Sequence, residues 1–354
     1  MKIGILTHHY VKNYGAFLQM KAMHESLGSI YPGSQIEVID YVVGTHWRKN
    51  ILHVLHYRLG IDSLKTYFKK MKQLYVFTKY ERSIPRTKRV YSHKDIEKLG
   101  LDLLVFGSDE IWNLQGSGYH PLKFGCGLED APIKMIAYAP SVGSVTEETI
   151  APEELSTGLH KFERISGRDL ETIRFVKRIA NREALKMLDP TFLYDFDIDI
   201  EKENIQKKPF KYILIYDCKL TEPLVKELKD YANKHGYKIL GAGDYKKYYD
   251  EVTINLTPYE WVSLFRNAEK VITGTFHGTV FSVKYDKDVI CYPTEENRIN
   301  KISSLLQDLK LHNCLLKVGK EEQFKALLNN NLDYTYVHEY IEKNKKEAME
   351  FLNI

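Results

Sequence analysis

The chain has 354 residues, of which 44% are hydrophobic and 28% charged, and its formal net charge is +4. This composition is close to the globular average, which excludes a disordered or fibrous protein, and no apolar run approaches the roughly 18 residues of a transmembrane helix. At roughly 100–200 residues per domain, the length predicts two domains. Polar His8 and His9 follow the first apolar run too soon for a signal peptide, so we expect a cytoplasmic protein.

The first half of the chain alternates between apolar runs of strand length and amphipathic segments. Residues 2–6 predict a strand, residues 16–27 a helix that stops at Gly28, and residues 36–41 a second strand. Further strand candidates lie at residues 101–106, 134–139, 164–168 and 184–188. Short buried strands that alternate with helices are typical of parallel βαβ units.

The polar stretch 195–209, together with Asp189-Pro190-Thr191, predicts a linker, after which the alternation starts again. The second half predicts strands at 212–216, 238–240, 271–273 and 289–292 and helices at 222–234, 258–267, 277–285, 297–309 and 334–351. We therefore expect two Rossmann-like α/β domains facing a cleft, residues 1–195 and 196–332. The helix in residues 333–354 could pack back onto the first domain. In such sheets ligands bind beyond the carboxyl ends of the strands, so the loops after strands are the candidate sites.

Two of these loops lie in the predicted first domain. Asn13 and Gly15 stand where a strand leads into a helix, and a glycine there lets backbone amides approach an anion, although a simple helix start explains it equally well. In the second loop, Ser108, Asp109 and Trp112 could bind sugar hydroxyls or orient a catalytic base. The alternatives are that Asp109 caps a helix and that Trp112 is a core anchor.

Two further loops carry groups suited to anion binding and proton transfer. Arg168 follows a predicted strand, and its guanidinium is the natural partner of a carboxylate or phosphate; the alternative is a surface ion pair with Asp169 or Glu171. His277 stands at a predicted helix start among glycines and threonines, where it could act as a general acid or base, or serve structurally by hydrogen bonding to backbone. His8 and His9 are secondary candidates. No standard metal-ligand spacing is present, so we expect no metal.

Taken in order, the loops resemble those of the polysaccharide pyruvyl transferase family. The resemblance rests on N-Y-G-A-F-L-Q at 13–19, G-S-D-E-I-W-N at 107–113, Y-A-P-S-V-G-S at 138–144, I-S-G-R-D at 165–169, L-D-P-T-F-L at 188–193 and T-G-T-F-H-G-T-V-F-S at 273–282. It implies two Rossmann domains similar to GT-B glycosyltransferases and transfer of pyruvate from phosphoenolpyruvate to a sugar as a ketal, without a metal or other cofactor. His277 matches the family's general acid/base, and Arg168 matches the arginine that holds the donor.

The chain departs from the family pattern beside the histidine. Many members have R-L-H where this chain has Thr275-Phe276-His277, so a second cation, Arg298 or Lys301, would have to replace the arginine unless both belong to a solvated helix face. Asp109 would deprotonate or orient the acceptor hydroxyl. The remaining substrate-binding candidates on the matching loops are Asn13, Gly15, Ser108, Trp112, Thr275 and Gly278.

Two other functions fit the same fold. A GT-B-like glycosyltransferase would bind a nucleotide sugar beside Gly241-Ala242-Gly243 and the His277 loop. A non-catalytic assembly subunit would have lost the charged site residues, whereas His277 and Arg168 are both present, which argues against it.

The net charge hides a basic segment inserted in the first domain, at about 46–90. Between Trp47 and Val90 lie twelve basic and two acidic residues, a net charge of +10, interspersed with apolar residues at helical spacing. A basic amphipathic helix pair is typical of contact with an anionic membrane, where a lipid-linked oligosaccharide acceptor would be found at the inner face; the alternative is that the apolar faces pack inward. No nucleic-acid-binding module accompanies the segment, so we expect no nucleic-acid partner.

Overall fold

The structure is a computed structural model that describes residues 1–56 and 64–354. The chain forms two compact units. The first unit comprises Met1–Val54, Thr78–Tyr194 and Ile341–Ile354, and the second comprises Leu55–Phe77 and Asp195–Tyr340.

The elements follow one another in an α/β order. The strands are β1 Lys2–Leu6, β2 Gln35–Val38, β3 Leu103–Phe106, β4 Lys134–Ala137, β5 Arg164–Gly167, β6 Leu185–Lys186, β7 Tyr212–Tyr216, β8 Lys238–Ala242, β9 Glu251–Thr253, β10 Lys270–Thr273 and β11 Asp288–Cys291. The helices are α1 Tyr14–Ile30, α2 Gly44–Leu55, α3 Leu64–Glu81, α4 His93–Glu97, α5 Glu154–Lys161, α6 Leu170–Ala180, α7 Asp197–Lys202, α8 Glu222–His235, α9 Pro258–Asn267, α10 Phe276–Lys284, α11 Glu296–Asp308, α12 Phe324–Leu328 and α13 Thr335–Leu352.

Each unit is built on one parallel sheet. In the first unit the strand order is β2-β1-β3-β4-β5-β6, and in the second it is β11-β10-β7-β8-β9, with parallel pairing throughout. The central strands are continuous apolar runs because helices cover both faces of such a sheet. The predicted fold class of two Rossmann-like α/β domains is confirmed.

Close packing explains why glycine stands in the middle of β1. A Cβ on Gly4 would lie 2.8 Å from both Ile39 Cδ1 and Leu101 Cδ1, so a larger residue would push apart the side chains that cover the sheet. Parallel pairing of β1 and β3 places Leu6 opposite Phe106 at their carboxyl ends, so the loops that follow these strands start side by side.

The predicted linker lies at the boundary between the units, Tyr194 and Asp195, but both of its parts contain regular structure that was not predicted. Residues Pro190–Phe192 form a 3-10 helix in which Thr191 is fully buried, and the polar run contains α7, where Asp199 and Ile200 are buried. Strand β9 was not expected, because three residues are too few to show a period in sequence.

The basic segment forms two helices, α2 and α3, with solvent-exposed apolar side chains. Within α2 no residue is buried, and Trp47 and Leu52 are 44% and 65% exposed. In α3 Phe68 is 65% exposed, whereas Phe77 near its end is buried. Residues 57–63, which the sequence predicts to be part of the same basic amphipathic segment, lie outside the described residues. Within the rest of the chain, no helix has both the length and the apolar character needed to cross a bilayer.

Candidate functional site

Arg168 lies at the carboxyl end of β5, with its guanidinium inside the first unit. Its Nη1 donates to Asp189 Oδ2 at 2.9 Å, and its Nη2 lies 3.9 Å from Asp109 Oδ1. Burial acts to lower the pKa of Arg168, but the neighbouring carboxylates, Asp189 foremost, raise that pKa above its ordinary value. Because the residue is only 7% exposed, the alternative of a surface ion pair is wrong. Asp169 instead caps α6 and accepts a hydrogen bond from Ser141.

Asp109 does not cap a helix. The residues after it form turns, and Asp109 itself has φ of 72°, a left-handed conformation that aspartate tolerates better than most residues. Its side chain is 18% exposed, so the carboxylate reaches the surface of the site beside Arg168. Of the sequence-predicted residues in the first unit, Asp109 and Arg168 are therefore brought together.

The neighbours of Asp109 on the same loop point into the core. Ser108 is fully buried and donates to the Ala139 carbonyl at 2.8 Å. Trp112 is also fully buried, stacks on Phe124 with ring centroids 5.3 Å apart, and donates from Nε1 to the Lys123 carbonyl at 2.7 Å. The prediction that these two side chains bind substrate is wrong for this conformation, because neither is accessible; Trp112 is the core anchor of the alternative interpretation.

A buried lysine beside Asp109 was missed from the sequence. Lys123 is fully buried, and its Nζ donates to the Gly118 carbonyl at 2.6 Å and to His8 Nε2 at 2.7 Å. Burial lowers the pKa of Lys123 to about 7, although Asp109 opposes the shift. Burial and the charge of Lys123 also hold the pKa of His8 well below its usual range, so the imidazole accepts the hydrogen bond in its neutral form.

The cluster extends to His46 and Tyr10. Tyr10 Oη lies 3.1 Å from His46 Nδ1, and the His8 and His46 rings meet edge to face at 4.8 Å. Burial lowers the pKa of His46 to about 4. Only His8 carried a signal in sequence, as a histidine after a strand. Lys123 stands in an apolar tract without a motif, so its place beside His8 follows from the tertiary fold alone.

Asn13 is the N-cap of α1. Asn13 Oδ1 accepts from the Gly15 amide at 2.8 Å and from the Ala16 amide at 3.3 Å. Because these hydrogen bonds satisfy the two amides, no anion is needed to explain the helix start. This agrees with the alternative interpretation, in which Asn13 and Gly15 simply start the helix.

In the second unit, His277 lies in the first turn of α10, directly after β10. Thr275 caps this helix, accepting from the Gly278 amide at 3.0 Å. A Cβ on Gly278 would lie 2.1 Å from Thr273 Oγ1, so glycine is required for the turn to approach the strand. His277 itself is half-buried. Thr275 and Gly278 thus determine where the imidazole is held.

Arg298 lies at the same carboxyl edge of the second sheet. It pairs with Asp217, which follows β7, at 2.8 Å, and with Glu295 at 3.0 Å. The loops after β7 and β10 are in close contact, because a Cβ on Gly274 would lie 2.9 Å from the Asp217 carbonyl oxygen. Lys301, one turn further along α11, is only 7% exposed. Arg298 is therefore the more accessible of the two cations proposed to replace the missing arginine.

The chain was compared with protein-family models, with curated proteins and with solved structures. The family model described as "Polysaccharide pyruvyl transferase" matches residues 13–296. Among solved structures, the UDP-GlcNAc 2-epimerase from Neisseria meningitidis has a TM-score of 0.52 and 10% identity, with coverage of 98% of this chain and 94% of that one. The UDP-GlcNAc 2-epimerase from Methanocaldococcus jannaschii has a TM-score of 0.51 and 12% identity, with coverage of 95% and 94%. None of the curated proteins matches the chain significantly. At these identities the solved structures are informative about the fold alone.

Proposed function

Because the chain belongs to the polysaccharide pyruvyl transferase family, we propose that it transfers pyruvate from phosphoenolpyruvate to a sugar of a surface or exopolysaccharide precursor, forming a ketal. The observation that carries this proposal is the family match over most of the chain, which includes the loops of Asp109, Arg168 and His277. We propose that the acceptor is a sugar on a carrier and that no cofactor takes part.

The second unit would supply the acid. His277 would protonate the methylene carbon of phosphoenolpyruvate, which leaves an oxocarbenium-like centre at C2. Arg298, already held at the same sheet edge by Asp217, would balance the negative charge of the donor. Thr275 and Gly278 would position His277 by fixing the first turn of α10. Lys301 is buried and would not contact the donor directly.

The first unit would supply the base. Asp109 would accept the proton of the acceptor hydroxyl as the hydroxyl oxygen attacks C2. Arg168, whose Nη2 lies 3.9 Å from the Asp109 carboxylate, is the residue proposed to anchor the donor. The C2–O bond to phosphate then breaks, and the leaving phosphate takes the proton that Asp109 had accepted. The second hydroxyl attacks the same carbon, and its proton returns to His277. In total two C–O bonds and one C–H bond form, the C2–O bond to phosphate and the C=C π bond break, the methylene carbon becomes a methyl group, and one hydrogen phosphate leaves.

The test is an assay of phosphate release from phosphoenolpyruvate in the presence of an acceptor diol. We expect His277→Ala to lower the turnover number by about 10²- to 10⁴-fold, the usual contribution of a general acid. His312→Ala, a histidine exposed in the second unit, is the matched control and should behave as wild type. Near-normal turnover of His277→Ala would remove this residue from the mechanism.

We also propose that the protein binds peripherally to an anionic membrane at the inner face, through α2 and α3. The support is that these helices combine basic residues with exposed apolar ones: Trp47 and Leu52 in α2, and Leu64, Phe68, Met71 and Tyr75 in α3. These apolar side chains are not packed in the protein core, whereas insertion into a lipid surface would remove them from water. Each basic residue near an anionic leaflet contributes about 1 kcal/mol to binding.

A further inference from the structure

We propose that a second binding site in the first unit, distinct from the Asp109 and His277 loops, holds the diphosphate group of the acceptor. The site is a cavity of about 500 Å³, within the usual range of small-molecule sites. It begins at His9 and Asp40, after β1 and β2, and is bounded by α2 and by the chain from Thr78 to Arg89. The identification of the ligand as an acceptor rests on the proposed function; the existence of the diphosphate site does not.

The charge of the cavity fits a ligand with two negative charges. Four cations line it, Lys12, Arg82, Arg86 and Arg89, against two carboxylates. Lys12 pairs with buried Glu81, and Arg89 pairs with Asp40 at 3.1 Å. Within residues 1–56 and 64–354, the other two cations, Arg82 and Arg86, form no ion pair.

Two buried polar atoms of the cavity lack a hydrogen-bond partner in the part of the chain that the structure describes. They are Arg86 Nε, a donor, and Glu81 Oε1, an acceptor. Buried polar atoms normally have a partner, since leaving one unsatisfied is costly. A phosphate oxygen would accept from Arg86, and a sugar hydroxyl would donate to Glu81.

The lining of the cavity is also partly apolar and aromatic. Trp47 and Ile51 of α2 line it together with Tyr10, and an aromatic face suits the ring of a sugar. A lining that combines arginines with aromatic side chains matches a sugar diphosphate. The same chemistry is shared by nucleotide-linked and lipid-linked sugars.

Calorimetric titration in the absence of phosphoenolpyruvate tests the site. The probes are inorganic pyrophosphate, uridine diphosphate glucose, a short-chain prenyl diphosphate glucose and, as the uncharged probe, methyl glucoside. We expect the 354-residue chain to bind at least one diphosphate and not methyl glucoside. Preference for the prenyl or the uridine compound identifies the carrier.

The decisive variant is Arg82→Gln, because Arg82 is exposed and its loss should not disturb folding. We expect at least tenfold weaker binding of the diphosphates, as for loss of a charge-assisted contact, with unchanged affinity for phosphoenolpyruvate. Lys134→Gln removes an exposed charge at the amino end of β4 and should bind as wild type. Equal diphosphate binding by Arg82→Gln and wild type, or no binding by wild type, overturns the proposal. Because the titration needs no turnover, it can succeed even if the protein proves unable to transfer pyruvate.

Discussion

Arg168 donates a hydrogen bond to Asp189 across 2.9 Å, with both side chains almost completely buried, at 3% and 0% exposure. Asp189 also accepts from the Thr191 amide at 3.0 Å and from its hydroxyl at 2.7 Å. The pair therefore ties the end of β5 to the 3-10 helix Pro190–Phe192, and it holds the guanidinium that lies beside Asp109.

Removing the charge of Asp189 should destabilise the first unit. In Asp189→Asn the buried guanidinium of Arg168 loses the nearer of its two ion-pair partners and keeps only Asp109, 3.9 Å away, and we expect the free energy of unfolding to fall by about 3 kcal/mol. Urea unfolding followed by circular dichroism measures it. Glu183→Gln, which breaks the exposed pair with Lys177, is the control and should cost at most about 1 kcal/mol. Equal unfolding midpoints for the two variants would show that the buried pair contributes nothing.

Lys123 should make stability depend on pH. Its pKa is lowered from 10.5 to about 7 by burial, so between these values the unfolded chain binds a proton that the folded chain does not. Stability from this group therefore rises with pH across the window from about 7 to 10.5, by up to about 4 kcal/mol. We expect Lys123→Met to flatten this rise in urea midpoints measured at pH 7 to 10, whereas Lys134→Met, a change of an exposed lysine, should keep the wild-type slope. Parallel profiles for wild type and Lys123→Met would contradict the prediction.

Gly278→Ala should impair activity by displacing the His277 turn. The new methyl group would lie 2.1 Å from Thr273 Oγ1 and 2.7 Å from Thr275 Oγ1, so the start of α10 has to move. A displacement of about 1 Å at a catalytic group can cost roughly 10²-fold in rate, which the phosphate-release assay measures. The control is Gly28→Ala in α1, where the nearest atom is 3.9 Å away and alanine should stabilise the helix by about 0.5–1 kcal/mol. Full activity of Gly278→Ala would show that the turn adapts.

The exposed apolar residues of α2 and α3 should mediate vesicle binding. We expect wild type to co-sediment with anionic phospholipid vesicles at low salt and less at high salt, because salt screens the basic residues. Leu52→Glu and Phe68→Glu should reduce binding severalfold. Ile150→Glu alters a residue of the first unit that is 93% exposed and lies outside both helices, and this variant should bind as wild type. No sedimentation of wild type at low salt would end the docking proposal.

The local pattern of the sequence determined the elements. Strands β1 and β7 and helix α9 have the predicted bounds, because apolar periodicity and caps such as Thr257 and Pro258 act within a few residues. The same locality places His277 at a helix start, since the end of a strand, a capping threonine and a close-packed glycine all lie within six residues.

The tertiary structure decided which side chains meet and which are accessible. Arg168 pairs with Asp189, 21 residues away in sequence, and Lys123 contacts His8, 115 residues away. Helical and strand periods carry no information over such separations in sequence. Burial of Trp112 and Ser108 likewise depends on how a turn-rich loop folds over the sheet. A motif determines the residue types at a strand end, whereas packing between distant segments determines their charge state, their partners and their access to a ligand.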